Sequence, residues 1–332
     1  MDWSKLLLLA AIQLLMWCDS VHCENKGGGN YHFFARGGMM PDFQAQDIKV
    51  VFQGEPGAYS EKSLRELLGP RVTAIGMQSF EDAFRAVAAR EADYALLPVE
   101  NTLGGSIHAN YDLQLKYQLH IVAEHEFRVE HSLLALPGTR LQDVRRVLSH
   151  PQALAQCDGY LRQLGVEKVP KYDTAGSAKM IKENGWADAA AIASDLAGET
   201  YGMEVLATNI EDDDCNYTRF LLLGREPVAA HLRPGQPAKT SLVFTLSNEP
   251  GALYKALACF SLRDIDFSKI ESRPTSANLL QYLRFQQQNL ARPPGAAAAS
   301  PRRGQGLVDR EVRGGAGHVA QEGQLPPAAQ RA

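Results

Sequence analysis

The chain is predicted to be α/β, in two lobes, with a smaller α+β domain after them. Three observations predict this. From Ile48 to Pro227 short apolar or β-branched runs alternate with amphipathic segments, the order expected of helices laid on sheets. The stretch "REPVAAHLRPGQPAK" then breaks the alternation with proline and glycine. After it come strand "TSLVFTLS", turn "NEPG", helix "ALYKALACFSLR" and strand "IDFSKIES", the first half of a βαββαβ sandwich.

Taken in order, "IKVVF" is a β-branched strand, "SEKSLRELL" a helix and "RVTAIGM" a strand. "SFEDAFRAVAAR" places Phe80, Ala83, Phe84, Val87 and Ala88 on one helical face, with Ser79 as N-cap and Asp82 in the first turn. "DYALLPVE" is a strand running into a Gly-rich turn, with a helix from about Ser106. "LHIVAEHEF", "SLLALPG" and "VRRVLS" are strands, and "HPQALAQCDGYLRQLG" is one helix with Pro151 in its first turn. Helix "TAGSAKMIKENG", strand "DAAAIAS", a further helix and strands "EVLATNI" and "TRFLLLG" complete a unit of mainly parallel sheets. Its length, about 180 residues, suits two lobes and a cleft. "QYLRFQ" is a third strand of the small domain. Beyond Phe285 no aromatic residue occurs, so the tail lacks the apolar area to offset its ordering entropy.

The expected domains are a leader (1–23), a linker (24–47), the two-lobed unit (48–227), a linker (228–238), the incomplete small domain (239–290) and a disordered tail (291–332). The 332 residues are 45% hydrophobic and 22% charged, with a formal charge of -4. That balance gives no electrostatic case for nucleic acid. Five cysteines with no C-x-x-C spacing argue against a disulfide framework and favour a reducing compartment. The apolar core of the leader, Leu6 to Trp17, has signal-peptide length and is too short to span a bilayer. It fits either a secretory signal or the first half of a two-part plastid address.

Four stretches put polar groups at strand ends, where open α/β sheets bind ligands. They are "GEPGAYSE", "PVENTLGGSI", "SHPQALAQC" and "CNYTRFLLLG". Each has a plain reading as a turn, a cap or a surface ion pair. Their joint occurrence in one alternating unit favours a site. His125 and His131 of "HEFRVEH" lie too far apart on a strand for one metal, at about 3.3 Å per residue. "EDDD" lacks the glycine and spaced carboxylates of a calcium loop and reads as a solvated acidic turn. Asn216-Tyr217-Thr218 fits a glycosylation sequon, and a glycan there would block any cleft containing Thr218.

On "GAYSE", "PVENT", "SHPQAL" and "NYTRF", the stretch Ile48 to Pro227 resembles the prephenate dehydratases and the related arogenate dehydratases, with wording that leans to the plant and algal branch. "GALYKAL" and "KIESRP" resemble the phenylalanine-site motifs of a regulatory ACT domain. The resemblance implies a two-lobed, periplasmic-binding-protein-like catalytic fold with an incomplete ACT-like α+β domain. It implies loss of carbon dioxide and hydroxide from a cyclohexadiene carrying two carboxylates. Aromatisation drives that reaction, so neither cofactor nor metal is implied. Thr218 is expected to assist the leaving hydroxyl and Arg219 to clamp a carboxylate. Asn101, Thr102, Ser149, Gln152 and Gln156 are expected to supply neutral contacts, Tyr59 and Ser60 to close the cleft, and Glu100 to orient its neighbours. A phenylalanine effector would meet Gly251, Ala252, Leu253, Glu271, Ser272, Arg273 and Pro274, between domains of a homo-oligomer. The second ACT helix and last strand are not found after Pro274. An open sheet edge is therefore expected, with weak or absent phenylalanine response. A non-catalytic solute-binding protein is the alternative on the same fold.

Overall fold

The computed structural model describes residues 48–227 without a break, together with 23–24, 30–35, 238–245, 249–262, 265, 267–274 and 281–289. The expected tail and nearly all of the expected leader lie outside the described residues.

Two sheets make the two lobes. In the first, the order is Thr73–Met77, Lys49–Gln53, Tyr94–Asn101, Tyr217–Gly224, His120–Arg128, with Gly105–Ser106 folded back on Asn101 and Glu100. In the second, it is Glu167–Pro170, Arg146–Ser149, Ala189–Ala193, Ser132–Ala135, Glu204–Ala207. The expectation of mainly parallel sheets is corrected here. In each sheet three strands are parallel and the remaining pairings are antiparallel. The antiparallel strands are those flanking the two passages between lobes, at 129–131 and 208–216. No crossover helix joins them to a neighbour, so nothing imposes a parallel return.

Apolar packing is continuous between the lobes. Val50, Phe52, Leu96, Phe127 and Phe220 of the first share one cluster with Leu134, Leu148, Ala178, Ile181 and Ala191 of the second. Ala189–Ala193 is buried at every position, as befits a strand covered on both faces. Helix Phe80–Ala88 begins as expected, with Ser79 accepting from the Asp82 amide at 3.1 Å. The helix expected from His150 to Gly165 is broken into Pro151–Gln156 and Asp158–Leu164. The Gln156 carbonyl accepts from the Asp212 amide at 2.7 Å, so an interlobe passage takes the bond that would have continued the helix. Strand Glu167–Pro170 was not anticipated.

The small domain carries helix Ala252–Ser261 and an antiparallel sheet ordered Asn30–Ala35, Ala238–Thr245, Gln281–Asn289, Phe267–Pro274. An open sheet edge is expected from the sequence, and the edge of Ala238–Thr245 is occupied. Asn30–Ala35, from the segment read as a linker, pairs along it from Tyr31 opposite Phe244 to Ala35 opposite Thr240. A strand from early in the chain thus pairs the backbone groups along that edge.

Candidate active site

A cavity of about 640 Å³ opens between the lobes, a size suited to a small-molecule ligand. The first lobe lines it with Tyr59, Ser60, Asn101, Thr218 and Phe220, and the second with Gln152, Gln156 and Lys171. Both interlobe passages contribute as well, through His131 and Asn216.

Thr218 is the second residue of Tyr217–Gly224 and stands opposite Asn101 across the sheet. A register shift follows between Arg219 and Phe220, a bulge of the kind that re-aims side chains. Thr218 is nearly buried, and its Oγ1 accepts from Asn101 Nδ2 at 2.9 Å. With an acceptor position so filled, the hydroxyl proton is left for the cavity.

Asn101 is held from both sides. Its Oδ1 accepts from the amides of Leu103 at 3.1 Å and Gly104 at 2.7 Å, while Nδ2 also donates to Asn216 Oδ1 at 2.8 Å. From Asn216 the bonds run deeper. Asn216 Nδ2 donates to Gln156 Oε1 at 3.2 Å, and that oxygen also accepts from His131 Nε2 at 2.8 Å. His131 Nδ1 then accepts from the Tyr59 hydroxyl at 2.6 Å. Each link fixes the direction of the next, so His131 carries its proton on Nε2. Burial pushes His131 below the usual imidazole range, against the opposing pull of Gln156 and Glu211. Burial likewise raises the Tyr59 phenol well above its ordinary value, reinforced by Cys157, Glu211 and Asp195. The chain of bonds is therefore neutral along its length.

The "GEPG" turn is fixed to the second lobe. Ser194 Oγ donates to the Gly57 carbonyl at 2.5 Å, the Tyr201 hydroxyl to the Pro56 carbonyl at 2.8 Å, and Lys179 pairs with Glu55 at 2.9 Å. Gly57 has φ +85, and a Cβ there would meet Ala197 Cα at 2.7 Å.

Of the anticipated residues, Tyr59, Ser60, Asn101, Gln152, Gln156 and Thr218 line the cavity, and four do not. Arg219 is directed away from it. Its guanidinium bonds Glu124 at 2.6 Å and pairs with Glu100 at 3.7 Å, because alternation along a strand sends it to the face opposite Thr218. Glu100 shares that face. Thr102 Oγ1 donates to the Cys215 carbonyl at 2.6 Å, and the fully buried Ser149 donates to the Ile192 carbonyl at 2.7 Å. His150, not Ser149, caps the following helix.

The acidic turn is not wholly solvated. The Glu211 side chain is 3% exposed and accepts from the His131 amide at 2.9 Å. Asn216 is 1% exposed with its amide engaged, so the sequon offers no acceptor in the folded chain. In the small domain, Gly251 adopts φ 77 before helix Ala252–Ser261, Ala252 is half-buried and Leu253 is 42% exposed. Glu271 faces Lys269 and His108, whereas the side chains of Ser272, Arg273 and Pro274 lie outside the described residues.

His131, Asn216 and Lys171 had not been anticipated. His131 was weighed only as a metal ligand and Asn216 only as a sugar acceptor. Lys171 follows strand Glu167–Pro170, so the strand-end rule would have reached it had that strand been recognised.

The prephenate dehydratase family model matches residues 50–228. Among curated proteins, the chain is 49% identical over 227 residues to Arogenate dehydratase/prephenate dehydratase 1, chloroplastic, from Arabidopsis thaliana, covering 68% of this chain and 57% of that one. It is 49% identical over 238 residues to Arogenate dehydratase 2 from Petunia hybrida, covering 71% and 59%. The chain thus spans somewhat under three fifths of these relatives' length. Among solved structures, prephenate dehydratase from Arthrobacter aurescens, in complex with L-Phe, is 31% identical with a TM-score of 0.66, over 73% of this chain and 80% of that one. GqqA, described as a novel type of quorum quenching acylase, is 39% identical with a TM-score of 0.66, over 72% and 87%.

Proposed function

The chain belongs to the prephenate dehydratase family, and on that footing we propose that it converts arogenate, prephenate or both to the aromatic product of phenylalanine biosynthesis. The ring carboxylate leaves as carbon dioxide. Its bonding electrons move into the ring, and the ring hydroxyl leaves as water after gaining a proton. The single observation that carries this reading is the Thr218 hydroxyl, which takes a bond from Asn101 and faces the cavity with its own proton unspent. A threonine is too weak an acid to ionise first, so it acts by donating within the transition state. The oriented amides of Asn101 and Gln156 supply fixed dipoles, which need no reorganisation as charge develops on the departing oxygen.

Lys171 replaces Arg219 as the proposed cationic partner of a substrate carboxylate, since it lines the cavity and Arg219 does not. The first turn of helix Tyr59–Leu68 also borders the cavity, and its amides suit a second carboxylate. Neutral contacts suit the carboxylate that departs, because a strong pair there would stabilise the ground state as much as the transition state. The solute-binding alternative gives no account of a hydroxyl prepared as a donor. Acylase chemistry, the description given to GqqA, would need a base beside a nucleophile. The Thr218 hydroxyl instead takes a bond from the Asn101 amide, which is not the bonding of an activated nucleophile.

The chloroplastic relatives support delivery to a plastid. The Phe-complexed relative supports binding of a phenylalanine effector, which the ACT-like motifs would place in the small domain, with a weak or absent response expected. Purified chain is to be assayed on arogenate and on prephenate, with Thr218→Ala and Thr218→Ser beside it. Thr218→Ala should lower kcat by about 10²–10⁴-fold, with Thr218→Ser retaining most activity. Ligand binding without turnover by the parent chain would reject the proposal.

A further inference from the structure

On the face of the sheet opposite the cavity, a half-buried cation of the small domain reaches the first lobe. Lys269, in strand Phe267–Pro274, is 13% exposed. Its ammonium lies 3.0 Å from Glu100 and 3.4 Å from Glu271, donates to Ser106 Oγ at 2.7 Å, and stands 5.4 Å from the centre of the Tyr111 ring. Glu271 is paired with His108 as well. Burial lowers the Lys269 ammonium, and its Tyr111 and Glu100 neighbours outweigh that, leaving it raised and charged.

Two of these partners share a narrow piece of chain. Glu100 and Ser106 are direct cross-strand partners at the base of a small hairpin, and Asn101 opposite Gly105 is its next pair. The tip of that hairpin supplies the Leu103 and Gly104 amides that hold Asn101 Oδ1. Glu100 also stands opposite Arg219, as Asn101 stands opposite Thr218. Lys269 therefore grips both arms of the hairpin one residue from the pair that the proposed chemistry depends on. Without it, Glu100 would lose its nearer cation and be left to share Arg219 with Glu124. Glu100 would then have reason to leave its place and take the hairpin with it.

We propose that Lys269, contributed by the small domain, is a positioning residue that clamps the Glu100–Ser106 hairpin and so orients Asn101 and Thr218 for catalysis. The kinetic arm of its test rests on the dehydratase reading, and the exchange arm does not. In the full chain, Lys269→Met should lower kcat by roughly tenfold or more with KM little changed, because a displaced donor weakens the transition state more than binding. Lys269→Arg should restore most of the loss. Glu100→Gln in the Lys269→Met background should also recover activity, since it removes the carboxylate that has lost the nearer of its two cationic partners and keeps only Arg219 at 3.7 Å. Amide exchange in Lys269→Met should quicken at 101–106 and stay parental at 189–193 and 252–261.

Parental kcat together with parental exchange at 101–106 in Lys269→Met would overturn the proposal. So would faster exchange throughout 252–261 with no recovery from Glu100→Gln, because Lys269 would then serve only its own domain. A parent chain inactive on both substrates rejects the dehydratase reading and leaves exchange at 101–106 to decide this one.

Discussion

Thr218 and Lys171 both line the cavity and have different tasks in the proposed reaction, which substitutions should separate. Lys171 is half-buried just after Glu167–Pro170 and lines the cavity, where the proposal has it meet a carboxylate. Lys171→Met should therefore raise KM by roughly tenfold to a hundredfold, the worth of a charge-assisted hydrogen bond, with kcat and Tm close to parental. A change confined to kcat would remove Lys171 from the binding role. His131 makes a different prediction. Its folded-state pKa lies below the unfolded value of about 6.5, so the unfolded chain binds more protons between those two values. The resulting stability is complete above about pH 6.5 and is lost as pH falls toward the folded value. His131→Gln should flatten that part of the Tm-against-pH curve while lowering Tm at neutral pH, and an unchanged slope would contradict the assignment. His120, which burial also lowers, should keep a slope of the same sign in the variant.

Among the elements, the "GEPG" turn and helix Tyr59–Leu68 bring Tyr59 and Ser60 to the cavity only because the turn lies flat against the second lobe. Gly57 permits this twice over, by its left-handed backbone and by the lack of a Cβ against Ala197. Gly57→Ala combines a strained φ, costing about 1–2 kcal/mol, with a clash against backbone that no rotamer change relieves. The expected result is a lower Tm and a large loss of kcat, with the Tyr59–His131 bond weakened. Gly69→Ala is the control for backbone strain alone, since nothing stands within 4 Å of a Cβ there. Equal effects at both positions would show that the interlobe fit at Gly57 is unimportant.

For the chain at large, the occupied edge of the small domain carries the main prediction. Asn30–Ala35 covers Ala238–Thr245, and Gln281–Asn289 covers its other side. Removing residues 1–36 would expose a paired-length strand edge, and exposed edges recruit other chains. The shortened protein should self-associate in light scattering at concentrations where the full chain does not. A monodisperse shortened chain would show that the edge is protected in another way. No helix among the described residues is long and apolar enough to cross a membrane.

Alternation, caps and strand-end motifs are written over a few neighbouring residues, so both lobes and the stretches that carry the cavity-lining Tyr59, Asn101, Gln156 and Thr218 were legible in the amino-acid order, with the family resemblance pointing to those residues within them. Three things were not. Thr218 and Asn101 are 117 positions apart, and their bond exists only because two strands pair in that register. The face presented by Arg219 depends on pleat and bulge in the folded sheet, which turned an expected clamp into a partner of Glu124 and Glu100. The partners of His131, Asn216 and Lys269 come from distant segments, and no local pattern encodes which buried polar groups will meet. Propensity acts along the chain, whereas hydrogen-bond satisfaction and charge pairing act through space, and that separates what could be read from what had to be folded to be seen.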